Sequence, residues 1–320
     1  MTTKIDATEP EASGLTDEAW TDLLRRLNDQ SVTKHFDAYA DIDWDTDQMH
    51  LEPEDPRWRL PEDEPLATTP WYQSLPATTQ ARLACHSTAS RMKAGLEFEG
   101  VLKRGLLEFA SKLPNGSPEF RYAYHEVIEE AQHALMFQEF VNRSGFDARG
   151  LGGIDRIGAR IVIGFARWFP ELFFMFVLGG EDPIDHVQRR SLRRDGNHPL
   201  IDRIMRIHVT EEARHLSFAR HYLKRRVPNL PRWRRAALAV GAPLVLAVMA
   251  DMMLQPSRQL VATYDIPKEV ISEAYTRNPA HRHRAIESLA KVRSLCEELG
   301  LLRRPFGTLW RMLHLTSEAR

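Results

Sequence analysis

Glu-Glu-Ala-Gln-His at residues 129–133 and Glu-Glu-Ala-Arg-His at residues 211–215 form a repeated pattern that decides the fold of this 320-residue chain. The first copy lies in a stretch with helical periodicity at about 118–143, and the second in another at about 199–226. In each copy the second Glu and the His are three residues apart, so both lie on one face of the helix. The pattern therefore predicts two helices that direct a carboxylate and an imidazole into one interior.

A constant offset of 82 residues relates the two copies and extends beyond them. The pairs it relates are Glu99 with Glu181, Glu130 with Glu212, and His133 with His215. Glu99 and Glu181 each lie 31 residues before the second Glu of their own copy. Chance alone would rarely place all six residues in this way. The sequence thus predicts a duplicated pair of helices, which is the arrangement of ligands in ferritin-like di-iron carboxylate bundles.

Two other carboxylates compete with Glu99 and Glu181 for these positions. Glu97 lies on the polar face of its helix, whereas Glu99 lies on the apolar face. A carboxylate on an apolar face must be paired or metal-bound to offset its desolvation. Glu171 would pair with Ala89 under the offset, so it is not a candidate.

The duplication breaks at one position, where His208 in the second half corresponds to Glu126 in the first. His208 lies one turn before Glu212 and two turns before His215, and this shared face favours metal ligation over a hydrogen-bonded core histidine. The predicted metal ligands are Glu99, Glu130, His133, Glu181, His208, Glu212 and His215. Oxygen and nitrogen donors without a thiolate favour iron, with manganese as the alternative, over zinc or copper.

Three segments resemble the p-aminobenzoate N-oxygenase (AurF-like) family of non-haem di-iron oxygenases: residues 98–107, 125–137 and 208–219. The resemblance covers roughly residues 80–230, and the family's seven metal ligands fall on the seven residues named above. It implies an all-α, ferritin-like four-helix bundle with two iron ions per chain and a third histidine beyond the usual two.

The resemblance also implies a reaction. Members use O2 to N-oxygenate an amine, such as an arylamine or a biosynthetic intermediate, through a peroxo-diferric species. The sequence shows no flavin or nicotinamide fingerprint, so the electrons would come from an external reductase or ferredoxin. A homodimer is a further expectation from the family. Two alternatives stay open: a hydroxylase or desaturase of an acyl chain, and a non-catalytic iron-binding protein. A radical-generating reductase subunit is disfavoured, because Phe137 stands where that chemistry needs a tyrosine.

Several residues are predicted to support the metal ligands. Metal-bound histidines usually donate their other N–H to a carboxylate, and the candidates are Glu129, Glu211, Asp182 and Asp185. Phe137, Ala219, Leu96 and Leu102 are candidates to line a cavity beside the ligands, although ordinary core packing explains them equally well. Pro170 and Pro183 are predicted to interrupt the apolar helical region of residues 154–192, and Ser117 is predicted to cap the helix that follows it.

The rest of the chain predicts an irregular N-terminal arm (1–75) with a disordered tip, tied down by Trp58 and Trp71. A ferritin-like domain (76–320) follows, with its bundle core at about 79–227 and further helices at the C-terminal end. The uncharged stretch 236–250 is shorter than the roughly 20 residues that span a membrane and predicts a buried core helix. The 43 basic and 44 acidic residues indicate neither nucleic acid nor an anionic membrane as partner. The two isolated cysteines and the polar N-terminus predict a cytoplasmic protein.

Overall fold

The computed structural model describes residues 16–150 and 152–316, and within these ranges the chain is helical and has no β-strand. The tip of the N-terminal arm, which was predicted to be disordered, lies outside the described residues. The α-helices are α1 (Asp17–Thr33), α2 (Pro70–Gln73), α3 (Ala77–Ala110), α4 (Pro118–Ser144), α5 (Gly153–Trp168), α6 (Pro170–Ser191), α7 (Pro199–Arg226), α8 (Arg232–Leu254), α9 (Arg258–Thr263), α10 (Lys268–Ile271), α11 (Pro279–Ser288), α12 (Ala290–Glu298) and α13 (Gly307–Met312). Two 3-10 turns (Pro65–Thr68 and Val227–Asn229) and one π-helical turn (Ser272–Thr276) complete the order.

Helices α3, α4, α6 and α7 form the four-helix bundle. Helix α3 packs along α4, and α6 packs along α7. Contacts between α3 and α6 and between α4 and α7 close the ring. Helix α5 connects the two pairs and lies against α3 and α6, while α8 covers the outer side of α6. This all-α, ferritin-like arrangement of two helix pairs confirms the predicted fold class.

The ends of the two motif helices follow from local sequence. Helix α4 ends before Gly145, whose left-handed backbone (φ 69°) is the usual helix C-cap. Helix α7 begins with a proline, and the side chain of His198 caps it by accepting from the N–H of Leu200. Ser117 stands at the N-cap of α4, but its hydroxyl donates to the carboxylate of Glu119 instead of accepting from the backbone. Ser117 is therefore at the predicted N-cap position, but the prediction that its side chain caps the helix is wrong.

Helix α6 differs from its prediction at one of the two prolines. Pro170 does separate α5 from α6, but α6 continues through Pro183 without a break. Pro183 has no N–H to donate to the carbonyl four residues earlier, that of Gly179. A Cβ at Gly180 would overlap the ring of Phe98 on α3, so glycine permits the close approach of α3 and α6 beside Glu181.

The buried apolar side chains form two clusters at opposite ends of the bundle. Helix α7 shows the division: residues 200–207 belong to one cluster and residues 216–223 to the other. Between them, residues 208–215 place charged and imidazole side chains in the interior. The bundle core is therefore two apolar layers with a polar layer between them, and this polar layer contains both copies of the repeated pattern.

The N-terminal arm is more ordered than predicted, because α1 occupies residues 17–33 of it. Helix α1 packs against α4 and α7, with Trp20 buried against Phe218. Trp58 is also buried and stacks on His198 at a ring-centroid distance of 4.5 Å. The expectation that Trp58 ties the arm to the bundle is thus met.

Helix α8 buries only one of its faces. Leu238, Leu246 and Met249 are buried, whereas Val240, Leu244 and Val248 are exposed on the other side. The prediction of a buried core helix therefore holds for half of its surface. In the described part of the chain, the helical run Arg232–Thr263 alone is long and apolar enough to cross a membrane by length and composition, and 44% of its most apolar window is buried.

The close packing of α3 on α6 gives a test of the fold. A methyl group at Gly105 would overlap the buried ring of Phe173, whereas one at Gly100 would meet no atom of the described chain within 4 Å. We expect Gly105→Ala to lower the free energy of unfolding by about 1–3 kcal/mol through overpacking. Gly100→Ala on the same helix should be neutral or stabilising by up to about 1 kcal/mol. Urea denaturation of both variants measures the difference, and equal effects would contradict this packing.

Candidate metal centre

The polar layer brings together all seven residues that the sequence nominates as ligands. Each is buried, with at most 3% of its surface exposed. Four overlapping groups have ligand atoms within 4.8 Å of one another: Glu99–His133–His208, Glu126–Glu130–His215, Glu130–His133–Glu212 and Glu181–His208–Glu212. Helices α3, α4, α6 and α7 all contribute. The carboxylates and imidazoles form one continuous set, and its overlapping groups are candidate metal sites.

Two of the histidines are oriented by hydrogen bonds that cross between α4 and α7. Nε2 of His133 lies 2.9 Å from Glu211, and Nε2 of His215 lies 2.8 Å from Glu129. Because a carboxylate only accepts hydrogen bonds, each Nε2 is the N–H donor. Nδ1 of each ring therefore faces the interior carboxylates. The first Glu of each copy thus orients the His of the other copy.

The interior nitrogens lie close to the carboxylates of both copies. Nδ1 of His215 is 3.0 Å from Glu212 and 3.2 Å from Glu130. Nδ1 of His133 is 3.6 Å from Glu130 and 3.7 Å from Glu212. The two glutamates of the repeated pattern therefore lie between the two imidazoles.

The third histidine is oriented in a different way. Nδ1 of His208 lies 2.9 Å from the side-chain oxygen of Gln188 on α6. Its Nε2 faces Glu99 at 3.6 Å and Glu212 at 3.9 Å. The ring of Phe137 packs against His208 at a centroid distance of 5.3 Å. His208 therefore belongs to the interior set, and Gln188 is a supporting residue that sequence reasoning did not find.

Arg214 is the buried cation between the two outer carboxylates. Its guanidinium lies 2.8 Å from Glu129 and 3.5 Å from Glu211, and the residue is 5% exposed. Burial alone would raise the pKa of Glu129, but the hydrogen bond from His215 and the charge of Arg214 outweigh it and lower that pKa to about 2. Glu129 is therefore ionised and able to accept the His215 N–H.

The structure also separates the competing glutamates. Burial, followed by the charge of Glu130, raises the pKa of Glu99 well above its ordinary value. Neither Glu99 oxygen has a hydrogen-bond partner among the described residues. Glu97 is only half-buried and belongs to none of the four groups. Glu171 is fully buried but pairs with Arg234 at 3.0 Å. The choice of Glu99 over Glu97 agrees with this placement.

Glu126 is the residue that sequence reasoning missed. It is 1% exposed, neither of its oxygens has a hydrogen-bond partner in the described chain, and it groups with Glu130 and His215. Burial raises its pKa to about 8. The signal was present in the sequence, because Glu126 precedes its copy of the pattern by the same spacing that nominated His208.

Two of the four predicted histidine partners are placed elsewhere. Asp182 pairs with Arg220, and Asp185 pairs with Arg189 at 2.7 Å and with Lys291 at 3.3 Å. These cations are nearer to the carboxylates than any metal-site histidine. The prediction is therefore met by Glu129 and Glu211, and it is wrong for Asp182 and Asp185.

The donor set fits hard or borderline divalent ions. Inward-facing imidazole nitrogens and unpartnered carboxylate oxygens meet in a layer closed to water, where a positive charge is needed to offset their desolvation. Oxygen and nitrogen donors without sulfur suit iron or manganese. Each histidine also has the outer hydrogen-bond acceptor that metal-bound histidines require.

Comparison with known proteins agrees with this geometry. The family model described as P-aminobenzoate N-oxygenase AurF matches residues 17–300. The chain belongs to the p-aminobenzoate N-oxygenase family. That match extends well beyond residues 80–230 and includes α1 and most of the C-terminal helices. The AurF family is di-iron, and the buried carboxylate–histidine layer is where this chain could bind metal.

The curated relatives extend over most of the chain, but their names give no activity. Uncharacterized proteins of Mycobacterium tuberculosis and Mycobacterium bovis are each 39% identical to this AurF-family chain over 297 residues, covering 92% of this chain and 87% of the relative. No solved structure matches the chain.

The buried cation gives a test of the polar layer. Arg214→Met would leave Glu129 and Glu211 without their shared cation, and breaking a buried ion pair costs about 3–5 kcal/mol. We expect a clearly lower urea midpoint for this variant. Arg206→Met is the matched control, because Arg206 is exposed on the same helix and surface changes usually stay within about 0.5 kcal/mol. A similar loss in both variants would show that Arg214 has no special role.

Proposed function

We propose that this protein is an O2-dependent di-iron monooxygenase that N-oxygenates an amine, with Glu99, Glu130, His133, Glu181, His208, Glu212 and His215 as metal ligands. An arylamine or a biosynthetic amine is the proposed substrate. Two iron ions per chain are the proposed cofactor, with manganese as the alternative metal. The family match supports the oxygenase class, and the ligands and substrate are the finer part of the proposal.

The observation that carries the proposal is the orientation of the three histidines. Each has one ring nitrogen hydrogen-bonded to an acceptor that is not among the proposed ligands, Glu211, Glu129 or Gln188. The other nitrogen of each ring faces buried carboxylates that belong to both halves of the duplication. A purely structural polar core would not need three imidazoles directed at one centre in this way.

Bound iron would supply the electrons that activate O2 and hold it beside the amine. The chain itself fixes the geometry of that chemistry. Glu129 and Glu211 hold the imidazoles of His215 and His133 in one orientation, and the two apolar clusters exclude water from both ends of the layer. The ring of Phe137 lies against His208 and limits the space on that side.

The arm contributes to the same layer. The backbone N–H of Phe36 donates to Glu211 at 3.2 Å, so Glu211 is held from outside while it orients His133.

An external reductase or ferredoxin as electron donor, a homodimer and a cytoplasmic location are further parts of the proposal. They rest on the family and the sequence. Light scattering of the purified protein tests the dimer.

Metal analysis tests the ligand set. We expect about two iron atoms per chain after anaerobic reconstitution with Fe(II) and dialysis, as in other di-iron carboxylate bundles. His208→Ala should reduce the iron content, because it removes one inward imidazole. The control is His221→Ala, which changes a half-buried histidine further along α7. Wild-type protein without bound metal would rule out the proposal, and many irons per chain in a cage-like assembly would favour iron storage.

Product analysis tests the reaction. Reduced, iron-loaded protein is exposed to O2 with p-aminobenzoate, and hydroxylamine, nitroso and nitro products are measured by mass spectrometry. We expect oxygenated amine that carries label from 18O2, and no product after the metal is removed with a chelator. If no amine is oxidised while an acyl substrate is hydroxylated or desaturated, the amine assignment is wrong and the acyl alternative replaces it.

A further inference from the structure

Glu126 is a buried carboxylate that the seven-ligand set leaves without a role. It is 1% exposed, and neither of its oxygens has a hydrogen-bond partner among the described residues. An ionisable group this deeply buried needs a counter-charge or a metal to offset its desolvation. Two of the proposed ligands, Glu130 and His215, are its neighbours within 4.8 Å, measured between ligand atoms. The side chain is therefore directed into the layer.

The duplication relates Glu126 to His208. Glu126 precedes Glu130 by four residues and His133 by seven, and His208 has the same spacing from Glu212 and His215. Both positions therefore lie on the inward face of their helices, one turn before the repeated pattern. His208 groups with Glu99 and His133 and also with Glu181 and Glu212, whereas Glu126 groups with Glu130 and His215. Each half thus supplies one additional donor.

We propose that Glu126 is an eighth ligand and binds the metal on the Glu130–His215 side of the layer, while His208 serves the other metal. This inference rests on the proposed function, because it assumes that the layer holds two metals. The two metal positions then differ in their donors. One gains a carboxylate and the other gains an imidazole, so the pair is chemically unequal although the bundle is a duplication.

The charges around the layer are compatible with a fifth carboxylate. Five carboxylates around two divalent ions leave one excess negative charge. Lys103 is the nearby cation, and its Nζ donates to the backbone carbonyl of Glu130 at 2.8 Å. Lys103 therefore lies beside a proposed ligand and can offset part of this excess.

Three proteins separate a ligand role from a structural one: wild type, Glu126→Gln and Glu126→His. Both substitutions remove the negative charge, but only histidine replaces it with a good metal donor. Glu126→His also gives the first half the pattern that the second half already has. Fe(II) binding is followed by equilibrium dialysis and metal analysis, and the two iron environments are compared by Mössbauer spectroscopy. Glu97→Gln, a change outside the four groups on α3, is the control.

We expect wild type to show two iron environments, and Glu126→Gln to weaken one site by at least about 100-fold, the upper range for removing an outer partner of a ligand. Glu126→His should restore two irons per chain with one altered environment. Unchanged affinity and unchanged spectra in Glu126→Gln would overturn the eighth ligand while leaving the proposed function intact. Wild-type protein without two metals would instead overturn the proposed function.

A measurement on wild type does not depend on how the variants fold. Anomalous diffraction from crystals soaked with Mn(II) locates both ions directly. A Glu126 oxygen at bonding distance from one ion supports the inference, and an ion whose coordination is complete without Glu126 overturns it. Circular dichroism of Glu126→Gln and Glu126→His establishes whether a loss of metal reflects a lost ligand or a lost fold.

Discussion

Two hydrogen bonds that cross between α4 and α7 hold the centre of this bundle. His133 donates to Glu211 and His215 donates to Glu129, so each copy of the repeated pattern orients the other. Carboxylates buried this deeply are tolerated only if they are paired and hydrogen-bonded, and Arg214 completes that pairing on the outer side. The rest of the layer depends on these bonds, because they decide which ring nitrogen faces inward.

The positions of the two apolar clusters are explained by this polar layer. A four-helix bundle stabilised only by packing would have one continuous core, whereas here the core is interrupted on α3, α4 and α7 at the same height. Each cluster shields one side of the polar set from water, which strengthens its electrostatic interactions. The N-terminal arm adds to the shielding through Trp58 and holds Glu211 through the N–H of Phe36. Elements outside the bundle therefore also act on the layer.

The sequence predicted the bundle and its inward residues because both follow from helix periodicity and a constant offset. It predicted Glu99 over Glu97 because the two lie on faces of different polarity. It did not predict α1, whose apolar residues are spaced among charged ones in a segment dominated by Asp, Glu and Pro. Nor did it predict that Asp182 would pair with Arg220, since this depends on how α6 packs against α7 and not on either helix alone. Ion pairs between residues on different helices can be identified only when the three-dimensional arrangement of the helices is known.

Glu126 and His208 are the pair of corresponding positions at which the two halves of the duplication differ. Glu126 occupies the position in the first half that His208 occupies in the second, yet only His208 was predicted to be a ligand. Helix geometry makes no such distinction, because residues with the same spacing share the same face and the same burial. Buried polar groups are normally hydrogen-bonded, so a buried carboxylate without a partner is unusual. The broken symmetry is therefore a substitution of one donor type for another, and the two sides of the layer differ in chemistry while sharing one backbone arrangement.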